Sequence, residues 1–225
     1  MNAVTPDIER TLRAACDACF GTRAVWPLVA RAYGEPQRFY HTLAHLAELF
    51  AHLAPYRAQP WWPAVELAVW AHDAVYATTP PDYANNEANS AQWLVQVTQA
   101  HCTASWLHAH ASHVSVASDL VLATKSHRLP ETYAADREWQ RAGQLFLDAD
   151  LAILAAAPDR LLEYDRAIAR EWAQDPEAPS ASFRAGRRQA LERLRGQVPL
   201  FRSAEFAPLE RRALRNLDTL IGFYA

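Results

Sequence analysis

An all-helical fold is predicted, on three observations. Only six glycines occur among 225 residues, and glycine is second only to proline in its cost to a helix interior. Alanine and leucine, both good helix formers, are abundant. No segment shows the sustained two-residue alternation of Val, Ile and Thr that marks a half-buried strand.

Taken in order, the apolar spacing predicts a first helix over residues 7–20, with Ile8, Leu12, Ala15 and Cys19 on one stripe. A short helix follows over 26–33 and is broken by Gly34-Glu35-Pro36. The next is expected from Phe39 to Pro55, carrying His41, His45, Leu49 and His52 along one side. Residues 59–63 read as a turn, with Pro63 suited to a first helical turn. A helix over 64–76 relates Val65, Val69, His72 and Asp73 by steps of three and four. Residues 78–83, with two prolines, read as a loop. Asn85 or Asn86 then caps a helix over 87–99. Residues 101–113 hold four histidines in a weakly patterned, loop-like stretch, where surface histidines are expected. Further helices are expected over 115–127, 136–147, 151–156, 159–172, 180–195 and 208–224.

The length and a 51% hydrophobic content suffice for a full core. One domain over 1–225 is expected, with a core over 31–175 and a helical extension over 179–225. Residues 174–179, with two prolines and acidic residues, are the boundary candidate. A net charge of -3 provides no general field for nucleic acid. The run Arg184, Arg187, Arg188, Arg193 and Arg195 offers a local basic patch or a solvated helix face. No apolar run approaches the ~20 residues of a membrane span, and residues 1–10 lack the basic-then-apolar order of a signal peptide. A soluble cytoplasmic protein with free thiols is expected, and Cys16-Asp17-Ala18-Cys19 reads as core thiols rather than a metal or redox pair.

The chemistry lies in three apolar segments. Arg38-Phe39-Tyr40-His41-Thr42-Leu43-Ala44-His45 places two histidines four apart. Val69-Trp70-Ala71-His72-Asp73 ends in adjacent metal-competent side chains. Leu145-Phe146-Leu147-Asp148-Ala149-Asp150-Leu151 carries two acids in an apolar run. Buried carboxylates need a partner or a cation. Imidazole with carboxylate suits one divalent ion of Mn, Mg, Fe, Ni, Co or Zn, without selecting among them. Each histidine alone reads equally as a core or surface residue, and an aspartate before Leu151 as a helix cap. Trp61 and Trp62 suit core packing, or the wall of a base-stacking cleft.

The ordered set resembles the HD-domain metal-dependent phosphohydrolases, and within them a bacterial branch of predicted HD-superfamily phosphohydrolases. The residues that carry the resemblance are Arg38-Phe39-Tyr40-His41 through His45, Ala68 through Tyr76 around His72-Asp73, and Asn86-Glu87-Ala88-Asn89-Ser90-Ala91. Ala123-Thr124-Lys125-Ser126-His127, Phe146 through Leu154, and Gly186-Arg187 complete it. It covers about residues 31–216. It implies a phosphodiesterase-like helical bundle with additional C-terminal helices. It also implies metal ligands at His45, His72, Asp73 and one of Asp148 and Asp150. Asp150 is preferred, because Asp-Leu there is similar to the phosphodiesterase metal aspartate.

By the same resemblance, the activity is hydrolysis of a phosphate ester, of a nucleotide or similar small metabolite, by metal-activated water. His41 is the candidate general acid or phosphate contact. Glu87 orients or deprotonates the water, or simply favours a helix N-terminus. Arg38 is the candidate phosphate clamp. His127 and Asn86 support the ligands or touch phosphate. The partner implied is a small phosphorylated substrate, with no membrane and no strong nucleic-acid signal; the oligomeric state is open. The competing readings are a non-catalytic nucleotide- or metal-binding regulatory module on the same scaffold, a two-iron oxygenase, and a purely structural helical protein.

Overall fold

The computed structural model describes residues 5–79, 81–173, 175 and 179–225. Among them are ten α-helices and no strand, so the helical class expected from the sequence is the one observed. Most of the proposed boundary over 174–179, and residues 1–4 of the segment read for targeting, lie outside the described residues.

The helices are α1 (Pro6–Phe20), α2 (Trp26–Ala32), α3 (Leu43–Leu53), α4 (Trp62–Ala71), α5 (Asn86–His101), α6 (Ala104–Ala123), α7 (Arg137–Leu151), α8 (Pro158–Trp172), α9 (Ala181–Arg195) and α10 (Glu210–Phe223). α4 is the central element. Eight of its ten residues are buried, and it packs against α1, α3, α5, α6 and α7. Only Pro63 and Glu66 are half-buried, as suits a helix inside a bundle, and this one ends at the metal-competent pair. α7 lies across α3 and α4, and α9 pairs with α10, which also covers the short turn Ala152–Ala155. Side-chain oxygens cap five helices: Thr5, Thr42, Thr103, Asp136 and Ser180 accept from amides of the first turn.

Four boundaries differ from the sequence expectation, and each matters for the site. α3 begins at Leu43 rather than Phe39, because Thr42 caps it, so His41 precedes the helix instead of stacking below His45. α4 stops at Ala71 rather than Tyr76, and His72 is its terminal cap position. α7 runs through Leu151 rather than stopping at Leu147. Asp148 and Asp150 are therefore both helical and lie about 200° apart around the axis. α6 starts at Ala104 and ends at Ala123, so the histidine-rich stretch is helical; His101 and His108 are exposed, while His110 and His113 are half-buried.

Smaller expectations are settled too. Trp61 and Trp62 are buried core residues. All three cysteines are free, and burial pushes the Cys102 thiol up to about 11. The arginine run is largely paired: Arg187 with Asp165, Arg188 with Glu192, Arg195 with Asp218, and Arg184 with the Phe223 carbonyl. Among the described residues no helix is long and apolar enough to cross a membrane.

Candidate metal centre

Three helix ends and one turn meet at a point. His45 stands in the first turn of α3, His72 at the end of α4, Asp73 in the turn beyond it, and Asp150 in the last turn of α7. His45 Nε2 lies 3.1 Å from His72 Nε2 and 3.2 Å from Asp150 Oδ1. His72 Nε2 lies 3.8 Å from the same Asp150 oxygen. These three side chains form a buried group that could hold a metal ion. Asp73 Oδ2 adjoins it, 3.1 Å from His72 Nε2 and 3.9 Å from His45 Nε2.

The chemistry of the donors suits a cation. His72 Nδ1–H donates to the Val69 carbonyl at 3.0 Å. A carbonyl can only accept, so in the neutral ring Nε2 carries the lone pair that faces the cluster. His45 differs: its Nδ1 is buried with no hydrogen-bond partner among the described residues, where a ligating histidine ordinarily donates to a neighbour. Burial disfavours a charged His72, yet Asp73 and Asp150 outweigh it and push the ring up to about 9. Burial likewise opposes charge on Asp73, but His72 and then His41 hold it well below the usual carboxylate range. Asp150 is held low by hydrogen bonds from His127 and His45. Two carboxylates in one buried place call for positive charge, which protons or a divalent ion can supply equally.

Asp150 is shared. While Oδ1 faces the histidine pair, Oδ2 accepts from His127 Nε2 at 3.0 Å. His127 reaches it from a left-handed backbone conformation, φ 51°, uncommon for a residue with a β-carbon. Asp148 faces the other way, as its angular offset requires. Its oxygens accept from the amides of Arg202 and Ser203 and from the Ser203 hydroxyl at 2.6–3.0 Å. It anchors the C-terminal segment and is excluded from the cluster.

The turn carrying Asp73 is held from several sides. The Tyr33 hydroxyl accepts from the Asp73 amide and donates to the Trp70 carbonyl. The Ser90 hydroxyl bonds both the amide and the carbonyl of Val75, and the Asn86 amide does the same at Ala77. Asn86, expected as a helix cap, a support for the ligands or a phosphate contact, fastens the turn. Arg38, expected as a phosphate clamp, clamps backbone instead. Its guanidinium donates to the carbonyls of His41, Asp73 and Ala74 and to Glu35, and its side chain has no exposed surface. Four acceptors already occupy it, so a phosphate would have to displace them.

His41 reaches the site from outside α3, with Nε2 3.8 Å from Asp73 Oδ2. Its Nδ1–H donates to Glu171 Oε2 at 2.7 Å, which fixes Nε2 as the atom that faces the cluster. Burial disfavours charge on His41, but Glu171, then Asp73, raise its pKa above the ordinary value. Glu171 Oε1 also accepts from the amides of Phe39, Tyr40 and His41 at 2.7–2.9 Å, and the Tyr76 hydroxyl donates to Oε2. Sequence reading passed over Glu171. The signal was present: Tyr164, Ile168 and Glu171 follow the helical step along the buried face of α8, and an acid on such a face needs partners.

Glu87 lies apart. It sits in the first turn of α5, 3.7 Å from Lys125 Nζ, and no ion pair among the described residues links it to the histidine–aspartate cluster. Its Oε2 is buried without a hydrogen-bond partner among the described residues.

Comparison of the chain with protein-family models, with curated proteins and with solved structures found no match.

Proposed function

We propose that this chain is a metal-dependent phosphohydrolase of the HD type, acting on a phosphate ester. The observation that carries the reading is the convergence of His45 Nε2, His72 Nε2 and Asp150 Oδ1, with Asp73 Oδ2 beside them. These four residues come from the three motifs whose order resembles that family. They combine two imidazole nitrogens with two carboxylates, a donor set that suits several divalent metals. A divalent ion held there supplies a Lewis acid for a phosphoryl oxygen and lowers the pKa of water.

The remaining roles belong to the chain's own groups. Asp150 is oriented by His127, and Asp73 by the backbone bonds that Arg38 and Tyr33 make to its turn. His41, with Nδ1 committed to Glu171, holds its exchangeable proton at Nε2 on the side of the cluster, where a leaving oxygen would need it. Lys125 and His127 stand on the same loop after α6; His127 holds Asp150, and the Lys125 ammonium lies against the Ala84 carbonyl and Glu87. Glu87 makes no ion pair with the cluster among the described residues, so a part in activating water would require a bridging water or substrate.

The test is turnover of a panel of phosphate mono- and diesters by the protein supplied with each of Mn, Mg, Fe, Ni, Co and Zn in turn, with a chelated control. Metal-dependent release of phosphate or of the alcohol is expected. A protein that retains metal and binds phosphate esters but turns over none of them is instead a binding module on the same scaffold.

A further inference from the structure

An aromatic series leads from the centre to the surface. The Tyr76 ring lies 4.2 Å from that of His41, centroid to centroid. Trp172 meets Tyr76 edge-on at 6.0 Å, and its Nε1–H donates to the Tyr76 hydroxyl at 2.7 Å. Tyr83 meets Trp172 edge-on at 5.6 Å and is 43% exposed. Buried Tyr76 and half-buried Trp172 lead outward to exposed Tyr83.

The segment bearing Tyr83 joins the two sides of the centre. On one side Tyr83 rests on Trp172, the neighbour of the Glu171 that holds His41. On the other, the next residue, Ala84, accepts through its carbonyl from Lys125 Nζ at 2.6 Å. Lys125 stands two residues before His127, which binds Asp150. Two residues further on, Asn86 fastens this segment to Ala77. Tyr83 and Ala84 therefore touch both the Trp172 that adjoins Glu171 and the Lys125 that stands two residues before His127. A single exposed tyrosine is ordinary on a protein surface. One that continues an aromatic series from a histidine beside the centre, on a segment tied to the loop of His127, has a place in the site.

We infer that Tyr83 and Trp172 form the face that receives the alcohol portion of the substrate, and that this portion carries a flat unsaturated ring. The inference rests on the phosphohydrolase reading: the phosphoryl group lies at the metal-competent cluster, and the ring lies against the two aromatic side chains. Stacking of a flat ring on aromatic side chains is tolerant of ring identity, so a nucleobase and a simple aryl group share the required chemistry. Polar, non-planar alcohols gain nothing from this face.

Binding of four probes to the full chain tests it: adenosine 5′-monophosphate, phenyl phosphate, ribose 5-phosphate and inorganic phosphate, each titrated calorimetrically. At least one ring-bearing probe is expected to bind about 5–100-fold more tightly than ribose 5-phosphate, the range that base stacking on an aromatic side chain supplies. Tyr83→Ala removes most of that preference and leaves ribose 5-phosphate and inorganic phosphate unchanged. Tyr83→Phe retains it. Stronger binding of the nucleotide than of phenyl phosphate assigns a nucleobase, and the reverse assigns an aryl ester. Equal binding of all four probes, or an equal loss for all four in Tyr83→Ala, overturns the aromatic face alone. Failure of all four to bind overturns the phosphohydrolase reading and the aromatic face with it.

Discussion

His45 Nε2 and His72 Nε2 lie 3.1 Å apart in a buried site. The Nδ1–H of His72 is committed to the Val69 carbonyl, so a neutral His72 directs a lone pair at its neighbour. Two imidazoles in that relation need a proton or a cation between them. Asp73 and Asp150 add two negative charges to the same place. The four residues form an electrostatic unit that positive charge completes.

The two acids of the α7 motif should separate cleanly. Asp150→Asn is expected to weaken metal retention more than tenfold, since even partners outside the coordination sphere cost about 10–100-fold. Asp148→Asn is expected to leave metal retention intact. Its cost falls on stability, about 2–3 kcal/mol, because an amide nitrogen would replace one acceptor facing the Arg202 and Ser203 amides. Chelator competition and urea denaturation of both variants measure the two effects.

His127 acts on the cluster through Asp150 Oδ2. His127→Ala is expected to keep the fold and to lower metal affinity by about 10–100-fold. Unchanged affinity in chelator competition would show that the hydrogen bond does not orient the carboxylate.

Arg38 distinguishes a backbone clamp from a phosphate clamp. Arg38→Met leaves the buried carbonyls of His41, Asp73 and Ala74 without their charged donor. It is expected to cost roughly 3 kcal/mol, since a hydrogen bond to a charged group contributes about 1.5–3 kcal/mol and such bonds are not additive. An unchanged unfolding midpoint with a raised KM for a phosphate ester would return Arg38 to the phosphate.

Glu171 gives the fold a defined acid response. Burial opposes its charge, but His41 and the backbone amides outweigh burial and hold the carboxyl at about 2, below an ordinary value of 4.5. The folded state thus binds this proton less readily than the unfolded chain. The stabilisation is complete above pH 4.5 and is lost as pH falls through 2, a difference of roughly 3 kcal/mol. Glu171→Gln removes this contribution, so its stability should change less steeply than the parent's between pH 4.5 and 2. Parallel profiles from denaturant midpoints across that window would contradict the assignment.

The helical class was legible because scarce glycine and apolar spacing at steps of three and four are local properties of the chain. The resemblance implied ligands at His45, His72, Asp73 and one of Asp148 and Asp150, and the structure brings His45, His72 and Asp150 into one group that could hold a metal ion. What the sequence left open was decided by helix ends. Whether His41 shared a face with His45 depended on the Thr42 cap, and whether Asp148 or Asp150 turned inward depended on α7 continuing past Leu147. The backbone partners of Arg38 and Asn86 lie 35 and 9 residues away: Arg38 donates to the Asp73 carbonyl, and Asn86 accepts from the Ala77 amide and donates to the Ala77 carbonyl, bonds that no side-chain pattern announces. Glu171 lies 130 residues from His41, and only its position on a buried helical stripe marked it.

Metal content of the purified protein beside that of His72→Ala tests the centre most directly, with circular dichroism to confirm that the variant is folded. The expected result is near-stoichiometric divalent metal in the parent, bound after loading and desalting, and its loss from a folded His72→Ala. Metal retained undiminished by the folded variant would contradict a centre built on His45, His72 and Asp150.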